Sequence, residues 1–237
     1  MNKKLLAIFT LVLTLFLGGC SFSFDKNSLI NRVNLLEKEV RELKEENEEL
    51  AKARDIIDFY NELTTETLDS TVVIRSSYYG SNKKYSNGII IGISGFDAYI
   101  LADYNAIKQT SSASYVLIDS YANEYSAYLY EVDITTGLAI FTCNWDYYGS
   151  VASLGEYSEV VAKVDNVSWI HKTTIESNIK SSTMTYLDTT YKSYYLNDMN
   201  LNGGTIFIND QNKIIGMYSS KLNVIVSEKV LELIINF

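Results

Sequence analysis

The chain has 237 residues, 47% of them hydrophobic, with 20 basic against 29 acidic side chains, one histidine, two cysteines and no proline. A net charge of −9 repels phosphate backbones, which excludes nucleic acid as the natural partner. No Cys/His cluster, acidic metal loop or phosphate-binding glycine loop is present in the sequence, so neither a metal nor a cofactor is expected.

At the N-terminus Lys3 and Lys4 precede an apolar run from Leu5 to Leu17 and then small residues up to Cys20. This is the layout of an export signal, and the run is too short for an ordinary spanning helix. Leu17-Gly18-Gly19-Cys20 resembles the bacterial lipobox. The resemblance implies cleavage after residue 19, diacylglycerol on the Cys20 thiol and a tether over residues 20–27. Two acyl chains suffice for stable anchoring where one does not. The expected location is therefore extracytoplasmic, on the membrane of a bacterium. Loss of Lys3 and Lys4 with residues 1–19, which hold no acid, would take the charge from −9 to −11. With Cys20 lipidated, Cys143 has no partner for an internal disulfide and reads as a small buried hydrophobe.

Residues 28–63 keep a heptad. Leu29, Leu36, Leu43, Leu50 and Ile57 fall at d, and Val33, Val40, Asn47 and Arg54 at a. Valine at a with leucine at d favours a two-stranded parallel coil, and one asparagine at a fixes register. The g-to-e′ pairs of such a dimer, Arg32 with Glu37 and Glu39 with Lys44, attract. A helix from Ser28 to about Leu63 extends roughly 50 Å. Its alternative is a solitary helix packed on its own domain.

From residue 64 charge density falls and short β-branched and aromatic runs take over. Strands are predicted at Thr71–Arg75, Gly88–Ile93, Ala98–Ala102, Ser114–Asp119, Glu124–Glu131 and Leu138–Thr142. A second set follows at Val160–Val164, Val167–His171, Thr173–Ile179, Thr183–Leu187, Thr205–Ile208, Lys213–Tyr218 and Asn223–Val226. Many short, evenly spaced strands point to a barrel or sandwich. Ser227 then caps a helix whose apolar face holds Val230, Leu231, Ile234 and Ile235.

Taken in order, these blocks resemble the HtrA/Deg branch of the trypsin-like serine proteases. Thr71-Val72-Val73-Ile74 is similar to its first strand, and Ser86-Asn87-Gly88-Ile89-Ile90-Ile91 to its GSGVII strand. Tyr99-Ile100-Leu101-Ala102-Asp103-Tyr104-Asn105-Ala106-Ile107 resembles YILTNAHVI, and Asp133-Ile134-Thr135-Thr136-Gly137-Leu138-Ala139-Ile140 resembles D-x-x-T-D-L-A-V. Leu154-Gly155-Glu156-Tyr157-Ser158 is similar to LGDS, and Asn200-Leu201-Asn202-Gly203-Gly204-Thr205-Ile206 stands where GNSGGPL would be. Lys213-Ile214-Ile215-Gly216-Met217 and Val224-Ile225-Val226-Ser227 match the closing strands. The resemblance runs from Thr71 to about Ile235. It implies an all-β double barrel over residues 64–237 with a short C-terminal helix, preceded by the coiled-coil helix.

It also implies that the histidine, aspartate and serine slots hold Asn105, Gly137 and Asn202, and that Asn200 replaces a glycine of the oxyanion loop, which continues through Leu201, Gly203 and Gly204. Hydrolysis there needs a hydroxyl nucleophile, an imidazole base, an orienting carboxylate and N–H groups aimed at the oxyanion. An amide is a very poor nucleophile and does not titrate near neutral pH, and glycine offers no side chain. The expectation is a membrane-anchored lipoprotein whose trypsin-like peptidase domain is inactive and binds a peptide or protein at the cell surface, with Asn105 and Asn202 facing one another.

Two alternatives stand beside it. An atypical serine-type endopeptidase would use the single histidine, His171, with a nucleophile and acid such as Ser193 and Asp188. A structural protein would cluster partners through the coiled coil alone. Among the tyrosines, Tyr191, Tyr194 and Tyr195 precede the Asn202 loop and are the expected ligand pocket, since tyrosine combines an apolar face with a polar tip.

Overall fold

A computed structural model of the chain describes residues 26–63, 68–79, 81–108, 112–144, 150–158, 161–165, 172–176, 179–197 and 201–236. Cys20, His171 and Asn200 lie outside these residues, as does the predicted strand Val167–His171.

Helix α1 spans Lys26–Glu62. Its sequence is rich in Leu, Glu, Lys and Arg and free of glycine, so intrinsic propensity favours a helix throughout. Ion pairs one turn apart, Lys38 with Glu42 at 3.4 Å and Arg54 with Asp58 at 3.6 Å, brace its exposed surface. The chain divides into two compact units, Met1–Ala53 and Arg54–Phe237. In the first, the heptad side chains Val33, Leu36, Val40, Leu43 and Leu50 are all exposed, as is Asn47. The side chain of Leu29 falls outside the described set. Among the described residues no helix is long and apolar enough to cross a membrane.

The second unit begins within α1. Phe59 and Leu63 are buried in its core, so the last turns of the helix fold with the β domain. A 3₁₀ turn, Leu68–Ser70, leads into β1 (Thr71–Tyr78), β2 (Ser81–Ser94) and β3 (Asp97–Asp103). A one-turn helix, α2 (Tyr104–Ile107), precedes β4 (Ser114–Ile118), β5 (Glu124–Val132) and β6 (Leu138–Asn144). These six strands close into a barrel in the order β1-β2-β3-β6-β5-β4. Register shifts at Ile90/Gly92 and Leu129/Glu131 supply the local bending that closure requires.

The remaining strands are β7 (Val161–Asp165), β8 (Lys172–Glu176), β9 (Lys180–Tyr186), β10 (Thr189–Tyr195), β11 (Ile206–Asn209), β12 (Ile214–Ser219) and β13 (Val224–Ser227). They form a seven-stranded sheet in the order β8-β7-β11-β12-β13-β10-β9, and the chain ends in α3 (Glu228–Ile235).

Alternation along the strands explains the core. Ala98, Ile100 and Ala102 of β3 point into the barrel with Ile90, Leu117 and Phe141. Leu101, between them, points outward into a cluster that also holds Ile89, Leu138, the second-sheet residues Ile206 and Met217, and Val230, Leu231 and Ile234 of α3. Each such buried side chain contributes about 1.5–3 kcal/mol, so the two halves are joined by a continuous apolar seam. Across the cleft where the halves meet, Asp103 at the end of β3 is hydrogen-bonded to Ser220 beyond β12.

Three expectations change. The hairpin β1–β2 runs well past Arg75 and begins well before Gly88. Strand β10 was not among the predicted strands. Ser227 occupies the N-cap of α3, with extended backbone, yet its side chain makes no capping bond and its buried hydroxyl has no partner.

Candidate active-site cleft

Strand β3 ends at Asp103, which is fully buried. Its carboxylate caps α2, accepting the Ala106 N–H at 3.2 Å, and reaches across the cleft to accept the Ser220 N–H at 2.7 Å. Burial raises its pKa above the ordinary aspartate value, while hydrogen bonds from Ser220 and α2 pull it back. The cap presents Asn105 at the surface of the cleft. The Asn105 backbone N–H donates to the Gly137 carbonyl at 3.2 Å, and its side-chain amide donates to the Ser220 hydroxyl at 3.3 Å.

Gly137 closes a turn built on Asp133, whose carboxylate accepts the Thr136 N–H at 2.6 Å and the Thr136 hydroxyl at 2.8 Å. The other oxygen of Asp133 accepts the Tyr186 phenol at 2.7 Å, which ties this turn to β9. Burial first, and then the bond to Asp133, push that phenol well above the ordinary tyrosine range. Gly137 has φ +76°, a left-handed conformation that side chains disfavour. A Cβ here would stand 3.4 Å from Asn105 Cβ and only 2.8 Å from Lys221 Cβ. Asn105 and Gly137 are therefore neighbours, and the Lys221 stem covers Gly137. Its ammonium donates to the Ile134 carbonyl.

Opposite lies the loop before β11. The Asn202 side-chain amide donates to the Asp165 carboxylate at 2.5 Å, and the Asn202 backbone carbonyl accepts the Thr205 N–H at 3.1 Å and the Thr205 hydroxyl at 2.8 Å. Gly203 accepts the Asn87 N–H at 3.0 Å, and its α-carbon lies so near Ala106 that no side chain fits. Gly204, at φ +73°, presses on the Asn87 carbonyl. Leu201 is half-buried against the Phe207 and Tyr218 cluster. The residues next to Asn105 and Asn202 are thus in contact, while the two side-chain amides each serve another partner. For Asn202 that partner is a carboxylate, a stronger acceptor than an amide oxygen.

The three-tyrosine pocket does not form. Successive side chains of a strand face opposite ways, so adjacent Tyr194 and Tyr195 cannot line one pocket. Tyr194 is 1% exposed, in the core with Phe207 and Ile225, stacked on Tyr157 at 5.0 Å. Tyr191 packs edge-on to Tyr186, and only Tyr195 is exposed. The other trio fares no better: Ser193 is fully buried without a partner, and Asp188 sits at the exposed hairpin tip beyond β9. Cys143 is buried, and burial pushes its thiol up to about 11, so it stays protonated.

Sequence reasoning missed Ser220, Lys221 and Asp165. Each follows or ends a second-sheet strand and reaches the cleft only through the fold, and no local spacing marks it. Together with Asn105 and Asn202 they supply one hydroxyl, two amides, an ammonium and a carboxylate. The Ser220 hydroxyl lies beside the Asp103 carboxyl and the Asn105 amide.

No protein-family model matches the chain, and no curated protein matches its sequence. Among solved structures it is similar to the crystal structure of the serine endoprotease from Yersinia pestis, with a TM-score of 0.53 at 16% identity. The match covers 75% of this chain and 66% of that one. The chain therefore has the trypsin-like double-barrel fold, with an N-terminal helix before it and a short helix after it.

Proposed function

We propose that the protein is a bacterial lipoprotein, anchored through Cys20, whose trypsin-like domain has lost peptidase chemistry and works as a peptide- or protein-binding module at the cell surface. The observation that carries this reading is the closed aspartate slot. Where an orienting carboxylate would stand there is a left-handed glycine covered by the Lys221 stem. The base and nucleophile slots hold asparagines already committed to Ser220 and Asp165. Loss of one triad member leaves roughly 10³–10⁴-fold acceleration over water, and here all three have changed. The scaffold of a serine endoprotease is retained, and none of its three slots holds a group to attack a carbonyl or shuttle its proton.

Helix α1 carries the domain as a parallel dimer. Its row of exposed apolar side chains at heptad spacing and the attractive Arg32–Glu37 and Glu39–Lys44 pairs support a second copy as its cover.

Incubation of the mature protein with unfolded casein and with fluorogenic peptides tests the reading. Product release no faster than in buffer is expected. Cleavage abolished by Asn202→Ala or His171→Ala would overturn it.

A further inference from the structure

Between the Asp133 turn, the β9–β10 hairpin and α3 lies a cavity of about 270 Å³. Its inner wall is the Tyr186 ring, Ile140 and Ile234, all buried. Its lips are Ile134 and Leu187, which are 79% and 57% exposed. Glu131 and Asp133 add two carboxylates to the lining. Drug-sized ligands occupy roughly 300–1,000 Å³, so this volume suits a single side chain.

Charge selects the kind of side chain. Among the described residues no lysine or arginine pairs with Glu131 or Asp133, and the Lys221 ammonium is held by the Ile134 carbonyl. Both acids raise the pKa of the Tyr186 phenol, after its burial, which registers their negative field inside the wall.

The lip is also strained. Leu187 and Asp188 have φ of 47° and 61°, the conformation of a two-residue hairpin turn that asparagine and glycine adopt readily. An exposed leucine kept in it, at the mouth of a cavity, fits a contact role better than a structural one.

We propose that this cavity binds one basic side chain, lysine or arginine, presented by a peptide. The aliphatic stem lies along Ile140, Ile234 and the Tyr186 ring between the Ile134 and Leu187 lips, and the cation meets Glu131 and Asp133. The site shares no residue with Asn105, Gly137 or Asn202, so it stands whether or not the cleft turns over substrate.

The full-length protein in detergent, labelled at isoleucine methyls, is titrated with Ac-Ala-Lys-Ala-NH2 and with its norleucine analogue, which has the stem without the charge. The lysine peptide should shift Ile134, Ile140 and Ile234. The norleucine peptide, and the lysine peptide against Glu131→Gln, should each bind about tenfold more weakly, the loss of a charge-assisted contact. Glu131 is exposed, so the variant keeps its fold, which the remaining methyl signals report. Equal affinity of the two peptides, indifference to Glu131→Gln, shifts confined to other isoleucines, or no shifts at millimolar peptide would each overturn the proposal.

Discussion

A side chain at position 137 would meet the Lys221 stem at 2.8 Å on a backbone with φ +76°. Gly137→Asp, the substitution that would refill the aspartate slot, therefore combines a left-handed backbone with a collision. It should cost about 2–4 kcal/mol in urea unfolding, with part of the loss recovered by adding Lys221→Gly. Wild-type stability in the single variant would show that the slot is open.

Glu228 behaves differently. It is buried, one of its oxygens has no partner, and burial raises its pKa above the ordinary 4.5. A raised carboxyl pKa means that the folded state holds the proton longer than the unfolded chain. Its stability contribution is full below the unfolded pKa and is lost as pH rises through the folded one. Buried Asp103 acts with the same sign. Thermal stability should therefore decline from pH 4.5 towards neutrality. Glu228→Gln should be about 1 kcal/mol more stable at pH 7 with a flatter profile. A variant less stable at pH 7 would contradict this. At this scale the sequence makes Asn105, Gly137 and Asn202 legible, because patterned strand blocks frame them. It hides Lys221 and Asp165, whose positions depend on contacts far apart along the chain.

At the scale of elements, α1 and most strands are legible because period and composition agree: heptads without glycine for the helix, β-branched runs for the strands. Strand β10 escapes because Lys192 and the threonines at its start break the apolar pattern, and its pairing with β9 and β13 decides it instead. The same alternation that sends Tyr194 into the core sends Tyr195 out, a distinction invisible to a count of tyrosines. The exposed heptad row of α1 makes its own prediction. The mature protein should sediment as a dimer, and Leu36→Asp with Leu43→Asp should give a monomer with an unchanged β-domain melting temperature. A wild-type monomer at micromolar concentration would rule out the coil.

For the whole molecule, the double barrel keeps its architecture while its cleft turns inward on its own side chains. The apolar seam that includes Ile89, Leu101, Met217 and α3 holds the halves together and uses none of Asn105, Gly137 and Asn202. Fold and chemistry are thus separable here, because packing rests on strand alternation and reactivity on a few surface positions. The most direct measurement is labelling with a fluorophosphonate, which reacts with any activated serine hydroxyl regardless of substrate preference. The native mature protein should label no more than its heat-denatured control. Labelling of the native form that disappears in Ser220→Ala or His171→Ala would contradict the account.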